Sequence, residues 1–320
     1  MHMRRVVIGL GICLLGFPAL AQSWPSRPVT FVVPQPAGGP LDVMARPMLQ
    51  KLQEKWGQPA VIENKTGATG TIGAGAVARA EPDGYTLLYT VDLPISMAPN
   101  LLKVPYDPVT DLEMIAAFAD TEQMLVVHPS LGVSTFAQLI EKAKANPGKL
   151  TYSSAGIASP AHLGTEMIAQ STGIKAVHVP YRGAAPAMQA LVAGEVDMFC
   201  GPLTQALPFI RDGKIIPIGT SGAKRAALTP QVPTLIEAGL KDFTINAQYY
   251  LMGPKGMPKD VVAKIRADFK AVLEDADTQQ RFAAIAVYPK WLTPDEGTAQ
   301  IKRDLAKWGE VIKAANITAQ

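Results

Sequence analysis

Residues 28–42 read PVTFVVPQPAGGPLD. The stretch opens with β-branched and aromatic residues between Pro28 and Pro34, the composition of a short strand. It breaks into a loop of small residues, Gln35-Pro36-Ala37-Gly38-Gly39-Pro40-Leu41-Asp42. Apolar residues then recur at Ala45, Leu49, Leu52 and Trp56, the spacing of one helix face. Gly57, with Pro59 beyond it, ends that helix. Pro47 inside it predicts a kink or a displaced first turn. Residues 150–163, LTYSSAGIASPAHL, follow the same plan. A strand at Leu150–Ser153 leads through Ser154, Ala155, Gly156, Ile157, Ala158 and Ser159 into a helix over Ala161–Thr172.

The rest of the chain continues the alternation. Further strands are expected at Ala60–Asn64, Tyr85–Thr90, Glu113–Ala119, Leu125–His128, Ala176–Val179, Val196–Phe199, Ile215–Thr220 and Phe243–Tyr250. Helices are expected over Phe136–Ala143, capped by Ser134, and over Ala184–Ala193 and Leu203–Arg211. The C-terminal part is mostly helical. Val262, Ile265, Phe269 and Val272 share a face, and Thr293-Pro294-Asp295-Glu296 is a capping box with proline at N1. Its helix turns Ile301, Leu305, Trp308 and Ile312 inward. Strands alternating with helices imply an α/β fold with largely parallel sheets.

Both small-residue loops lie at the C-terminal end of a strand and the N-terminus of a helix. The first backbone N–H groups of a helix lack partners there, and its dipole is positive. Small residues let an anion approach that backbone. Either loop alone could be an ordinary turn with a cap, but the pair favours a binding cleft at strand ends.

The N-terminus reads as a secretory signal. Arg4 and Arg5 precede an apolar run from Val6 to Leu20, and Ala19-Leu20-Ala21 fits a cleavage site. A membrane span needs roughly 20 apolar residues, and no later segment supplies them. Cys13 is no lipoprotein cysteine, since Ile12 precedes it where a small residue is wanted. Removing residues 1–21 lowers Lys+Arg from 30 to 28 against 27 Asp+Glu, so the net charge falls from +3 to +1. A near-neutral chain gives no basis for nucleic acid or anionic membrane as partner. Cys200 is then the only cysteine, which excludes an internal disulfide and a cysteine-based metal site. The 299 remaining residues suit two domains.

Five stretches taken together resemble the Bug receptor family, the extracytoplasmic receptors of tripartite tricarboxylate transporters. They are VVPQPAGGPLDVMAR, VIENKTGATGTIGAGAVARAEPDGYTLLYT, LTYSSAGIASPAHL, VHVPYRGAAPAMQALVAGEVDM and QVPTLIEAGL. The resemblance covers essentially the whole mature chain. It implies a two-lobed periplasmic-binding-protein class II fold with two hinge strands, near Met124–Pro129 and Asn246–Gly253, and a ligand cleft between the lobes. The lobes divide as 22–125 and 248–320 against 126–247. It also implies a periplasmic location, a small carboxylate ligand, membrane permease subunits as partners, and neither catalysis nor cofactor. A monomer is expected.

Carried over by position, Pro36, Ala37, Gly38, Gly39 and Asp42 form the first-lobe loop. Ser154, Ala155, Gly156, Ala158 and Ser159 form the second, with His162 beside it. The chain departs from the family at other expected contacts. Ala98 stands before Pro99 in place of Asn, Gly201 replaces a polar residue, and Gln248, beside Tyr249, replaces a tryptophan. These departures put the usual dicarboxylate in doubt. Asp92, just past the third strand, is expected either to face the cleft and choose among carboxylates or to cap the turn at Leu93-Pro94.

Competing signals are weaker. Gly73-Ala74-Gly75-Ala76-Val77-Ala78 fits G-x-G-x-x-A, but eight residues, Lys65 to Ile72, separate it from its strand. A small-residue helix packed close to its sheet is the plainer reading. A secreted hydrolase is the enzymatic alternative, yet neither Ser154 nor Ser159 lies in G-x-S-x-G, and His128, His162 and His178 show no close pairing. No zinc-binding spacing is present. Arg182 reads either as a carboxylate clamp or, preferably, as an arginine that orders its loop. Cys200 either borders the cleft or is simply buried. A binding protein that feeds a signalling partner is the remaining alternative.

Overall fold

The computed structural model describes residues 24–241 and 243–318. The expected signal peptide, and Cys13 within it, lie outside the described residues.

One strand, β4 (Leu112–Val127), organises the molecule. Its residues Leu112–Glu122 pair antiparallel with β9 (Asn246–Pro254). From Gln123 onward it pairs instead with β7 (Met198–Pro202) and β8 (Ile216–Thr220). The strands expected at Glu113–Ala119 and Leu125–His128 are therefore one. The polar run Asp120-Thr121-Glu122-Gln123, which reads as a break, marks where the strand leaves one sheet and enters the other.

The first sheet runs β2 (Ala60–Asn64), β1 (Val29–Val33), β3 (Thr86–Val91), β9, β4. A strand that the sequence did not reveal, β10 (Tyr288–Leu292), adds to the other edge of β4. The second sheet runs β6 (Ala176–Pro180), β5 (Leu150–Ser154), β7, β4, β8. Each sheet thus places one antiparallel crossover strand beside a parallel set. The result is the expected two-lobed α/β fold.

Register decides where the loops meet. β1 and β3 run parallel to each other, and β9 opposes both β3 and β4. The C-terminal ends of β1 and β3 therefore point along β4 toward the second sheet. β5 and β7 are parallel to each other and oppose β4, so their C-terminal ends point back toward the first sheet. Two sheet edges face each other across the crossover.

The helices cover the sheets with apolar faces. α1 (Pro40–Trp56) and α7 (Lys259–Leu273) close one side of the first lobe over Phe31, Leu87, Tyr89 and Phe118. α1 begins at Pro40 and contains Pro47 without ending there. α2 (Thr71–Ala78) is the small-residue helix. A Cβ on Gly73 would stand 2.7 Å from the Lys65 carbonyl and 2.9 Å from Pro34 Cβ, so glycine there permits close packing. In the second lobe, α3 (Phe136–Ala145) is capped by Thr135, whose hydroxyl accepts the Gln138 N–H. Ser134, the expected cap, bonds the Gln138 side chain instead. α4 (Pro160–Thr172), α5 (Ala184–Val192) and α6 (Leu203–Arg211) follow, and α8 (Ala276–Ala284) returns to the first lobe beside α7.

The last helix, α9 (Pro294–Ala314), starts with the expected capping box at Thr293 and Glu296. Ile301 packs in the first lobe with Val32, Leu88 and Tyr250. Trp308 and Ile312 join Leu125, Leu163 and Cys200 of the second. The helix is a strap between the lobes.

Candidate ligand-binding site

Loop 1 leaves β1 and forms the cap of α1. Gly39 N–H donates to the Pro36 carbonyl at 3.1 Å, closing a turn. Pro36, Ala37 and Gly38 are exposed and Gly39 is half-buried. Gly39 is the N-cap and has no side chain to accept from the first turn, so the Leu41 and Asp42 amides have no side-chain partner. The Asp42 carboxylate lies beneath the loop. It accepts Gly38 N–H at 2.9 Å, both Nε and Nη2 of Arg46 at 2.8 and 3.0 Å, and Asn64 Nδ2 at 3.3 Å. Burial alone would raise its pKa, but the Gly38 amide, Arg46 and Asn64 outweigh burial and lower it. Asp42 therefore shapes the loop from within and has little capacity left for a ligand.

Loop 2, at the end of β5, is closed more tightly. Ser154 Oγ accepts Gly156 N–H at 3.1 Å and lies 2.6 Å from His178 Nε2. Ala158 has a left-handed backbone, φ 60°, and its N–H donates to His162 Nδ1 at 3.1 Å. Ser159 caps α4 by accepting the His162 N–H at 3.3 Å. Ala155 and Gly156 are half-buried, while Ser154, Ala158 and Ser159 are buried. The two loops therefore differ: one helix start is uncapped by a side chain and the other is satisfied.

The histidines are paired after all. The register sets Tyr152 of β5 beside His178 of β6, and α4 brings His162 over both. The His162 and His178 rings stack at 3.8 Å, with Tyr152 at 4.9 Å from His178. Burial, with His178 adding to it, pushes His162 down to about 3, and burial pushes His178 down to about 4. Both are neutral near pH 7. The Ser154–His178 contact is the nearest approach to hydrolase chemistry. Ser154 is fully buried and its hydroxyl is tied to the Gly156 backbone, so it is held back from attack on a substrate.

Other candidates fall elsewhere. Gly201 is a packing glycine: the Phe199 ring lies where its Cβ would be. Tyr249 is buried in the first-lobe core, 6.2 Å from Phe118, and burial raises its phenol. Arg182 is exposed. Cys200 is buried beneath α4, and burial pushes its thiol up to about 12. Ala98 is buried, and Gln248 donates through Nε2 to Asp120 at 3.4 Å.

Asp92 is 2% exposed at the end of β3. Its N–H donates to the Gln248 carbonyl at 3.0 Å, and its Oδ2 accepts Gln248 N–H at 3.3 Å. Its main-chain carbonyl, rather than its side chain, receives the Ile95 and Ser96 amides of the following turn. Oδ1 is buried without a partner. Burial pushes the group up to about 8, with the Gln248 amide opposing and Asp304 adding to it. Asp92 lines a cavity of about 180 Å³ with Asn246, Gln248, Lys290, Asp304 and Lys307. Asp304 and Lys307 escaped notice in the sequence because they flank the apolar stripe of α9. Gln123 also escaped notice. It stands where β4 changes sheet, 1% exposed, with both side-chain amide atoms buried and unpartnered. Its signal was the polar run within an otherwise apolar strand.

The chain matches the model of the tripartite tricarboxylate transporter family receptor (TctC) over residues 44–317. It is 32% identical to Protein BugT of Bordetella pertussis over 98% of both chains. Among solved structures, R. palustris Rpa4515 with adipate superposes with a TM-score of 0.87 at 31% identity, covering 92% of this chain and 99% of that one. MatC (Rpa3494) from Rhodopseudomonas palustris with bound malate superposes at 0.83 with 30% identity, covering 90% and 100%. The chain belongs to the tripartite tricarboxylate transporter receptor family.

Proposed function

We propose that the protein is a periplasmic receptor that closes its two lobes on a small organic carboxylate and hands it to the permease subunits of a tripartite transporter. The observation that carries this reading is the start of α1: first-turn amides under a glycine cap, in an exposed small-residue loop facing the second lobe. Such a terminus is complementary to an anion. Related structures hold adipate and malate, which supports a carboxylate as that anion.

In this reading Pro36, Ala37, Gly38 and Gly39 offer backbone and close approach, and Ala155 and Gly156 face them from the second lobe. Asp42, Ser154, Ala158, Ser159 and His162 hold those loops in shape. The lobes divide as 22–125 with 248–320, and 126–247, with α9 as a strap. Among the described residues no helix is long and apolar enough to cross a membrane. The signal-like N-terminus and the family support a periplasmic site of action, and a monomer fits ligand delivery by a two-lobed receptor.

Native mass spectrometry of protein released from the periplasm without refolding tests the reading. The expected species is a monomer of residues 22–320 carrying a small acid. Retention of the N-terminal segment, or a stoichiometric sugar or metal in place of an acid, would contradict it.

A further inference from the structure

Among the described residues, three stretches of chain bridge the two lobes, and all three bring polar groups to one place. In β4, Ala119 packs in the first-lobe core and Leu125 in the second, with Asp120 and Glu122 between them. At the start of β9, Ile245 packs in the second core and Ala247 in the first, with Asn246 between. In α9, Ile301 packs in the first lobe and Trp308 in the second, with Asp304 and Lys307 between. Asp92, at the end of β3, joins them: it lines the cavity of about 180 Å³ with Asn246, Asp304 and Lys307. Register ties this cavity to β4, setting Gln248 beside Asp120 and Asn246 beside Glu122.

The cluster holds four acids and two lysines. Lys290 of β10 lies 3.5 Å from Asp120, and Lys307 donates to the Thr244 carbonyl at 2.9 Å. Gln300 holds both oxygens of Asp304 at 2.9 and 3.0 Å. Two carboxyls keep an oxygen unserved: Asp92 Oδ1 and Glu122 Oε2 are buried without a partner. The Glu122 carboxyl also lies against the segment after β8, where a Cβ on Gly222 would overlap it. The phenols of Tyr249, Tyr250 and Tyr288 face the same groups, and burial keeps them neutral. Buried charges without partners are costly. Four ionised acids against two lysines leave two negative charges in excess, and one proton on each unserved carboxyl removes them. Burial pushes Asp92 up to about 8 and, with Asp120 adding to it, Glu122 up to about 7.

We propose that the angle between the lobes is linked to protons: the arrangement seen here keeps Asp92 and Glu122 protonated, and rotating the lobes apart wets both carboxyls and releases their protons. The cluster sits on all three bridges, so no change of interlobe angle leaves its groups in place. The inference rests on the reading of a receptor whose lobes open and close, and adds a control on that motion. In water the two carboxyls return to their ordinary values, 3.8 and 4.5. The arrangement is therefore fully favoured below those values and loses ground as pH rises, until both carboxyls are ionised in it above about 8. Each carboxyl contributes up to about tenfold per pH unit within its own range.

The test reads the lobe angle directly. Gln53 on α1 and Lys144 on α3 are exposed, so Gln53→Cys with Lys144→Cys carries a donor and an acceptor dye. Cys200 is buried and stays unlabelled. Energy transfer is followed in ligand-free protein from pH 5 to pH 9, with circular dichroism checking that the fold persists. The ratio of this arrangement to the opened one should fall at least about tenfold between pH 6 and pH 8. Asp92→Asn with Glu122→Gln, neutral at every pH, should hold the transfer level. If that double variant folds poorly, carbon-13 spectra of the wild type labelled at its aspartate and glutamate carboxyls decide: two carboxyl carbons should titrate above pH 6, in step with the transfer. A level wild-type profile, a profile that survives in the double variant, or no carboxyl titrating above pH 6 would overturn the linkage. Malate and adipate, added at pH 7, separate the two readings. If either acid changes the transfer while the pH profile is level, the receptor reading stands and this inference alone fails. Transfer that moves with neither pH nor acid contradicts both.

Discussion

The imidazole rings of His162 and His178 lie stacked, 3.8 Å between centroids and 14° from parallel. Fifteen residues separate them in the chain, and one helix and one strand bring them together beneath loop 2. Each is a lever on loop 2, His162 through the Ala158 amide and His178 through the Ser154 hydroxyl.

The pair makes the fold acid-sensitive. Both histidines titrate ordinarily at 6.5, and burial lowers them to about 3 and about 4. Between those values and 6.5 the unfolded chain binds protons that the folded chain refuses. Stability is therefore full above pH 6.5 and falls as pH drops toward 4. The slope is at most about 1.4 kcal/mol per pH unit for each histidine, and less for His178, which keeps some contact with water. Melting temperature measured from pH 7 to pH 4 should decline, and His162→Gln with His178→Gln should flatten that decline. An unchanged slope in the double variant would place the acid sensitivity elsewhere.

Gln123 should weaken the empty protein. Its buried amide has no partner in the empty protein. Replacing it with methionine removes that desolvation penalty, so Gln123→Met should raise the stability of the empty protein by about 1–2 kcal/mol in urea denaturation. A loss of stability would mean that the amide has a partner when the cleft is empty, such as a fixed water.

Trp308 should report on the strap. It is 3% exposed and packs with second-lobe residues, while Ile301 on the same helix packs in the first. Trp308→Ala should cost roughly 3–5 kcal/mol and raise hydrogen exchange in the last turns of α9 more than in its first. Uniform exchange along the helix would show that α9 does not bridge two units.

The sequence exposed what local chemistry encodes. The two Gly-rich loops, the capping box at Thr293 and the alternation of strands and helices all follow from composition and spacing, and the structure places them as expected. What depends on register stayed hidden. Asp120–Gln123 looks like an interruption because a polar run within apolar residues is the same whether a strand stops or changes sheets. His162 and His178 look unrelated because their contact is set by the pairing of β5 with β6. Asp304 and Lys307 look like solvent-facing helix residues, and only the packing of α9 against β4 and the turn at Leu93–Met97 encloses them. Asp42 appeared to be a ligand contact because an acid in a loop is visible in sequence, whereas the arginine and the amide that occupy it are visible only in space.

Recognition of a carboxylate by loop 1 is tested most directly by one titration. A ligand acid and its neutral amide are compared by thermal shift on the wild type and on Gly39→Val. A Cβ at Gly39 would stand 3.1 Å from the Pro36 carbonyl, its nearest contact, so the turn must give by a few tenths of an ångström, and the branched side chain beyond it blocks the backbone approach. The acid at a hundredfold excess over Kd should stabilise the wild type by about 2.7 kcal/mol. The amide should give no shift, and Gly39→Val should lose the acid's effect while still unfolding cooperatively, unliganded, at a somewhat lower temperature. Equal stabilisation by acid and amide, or an undiminished response in Gly39→Val, would contradict carboxylate capture at this loop.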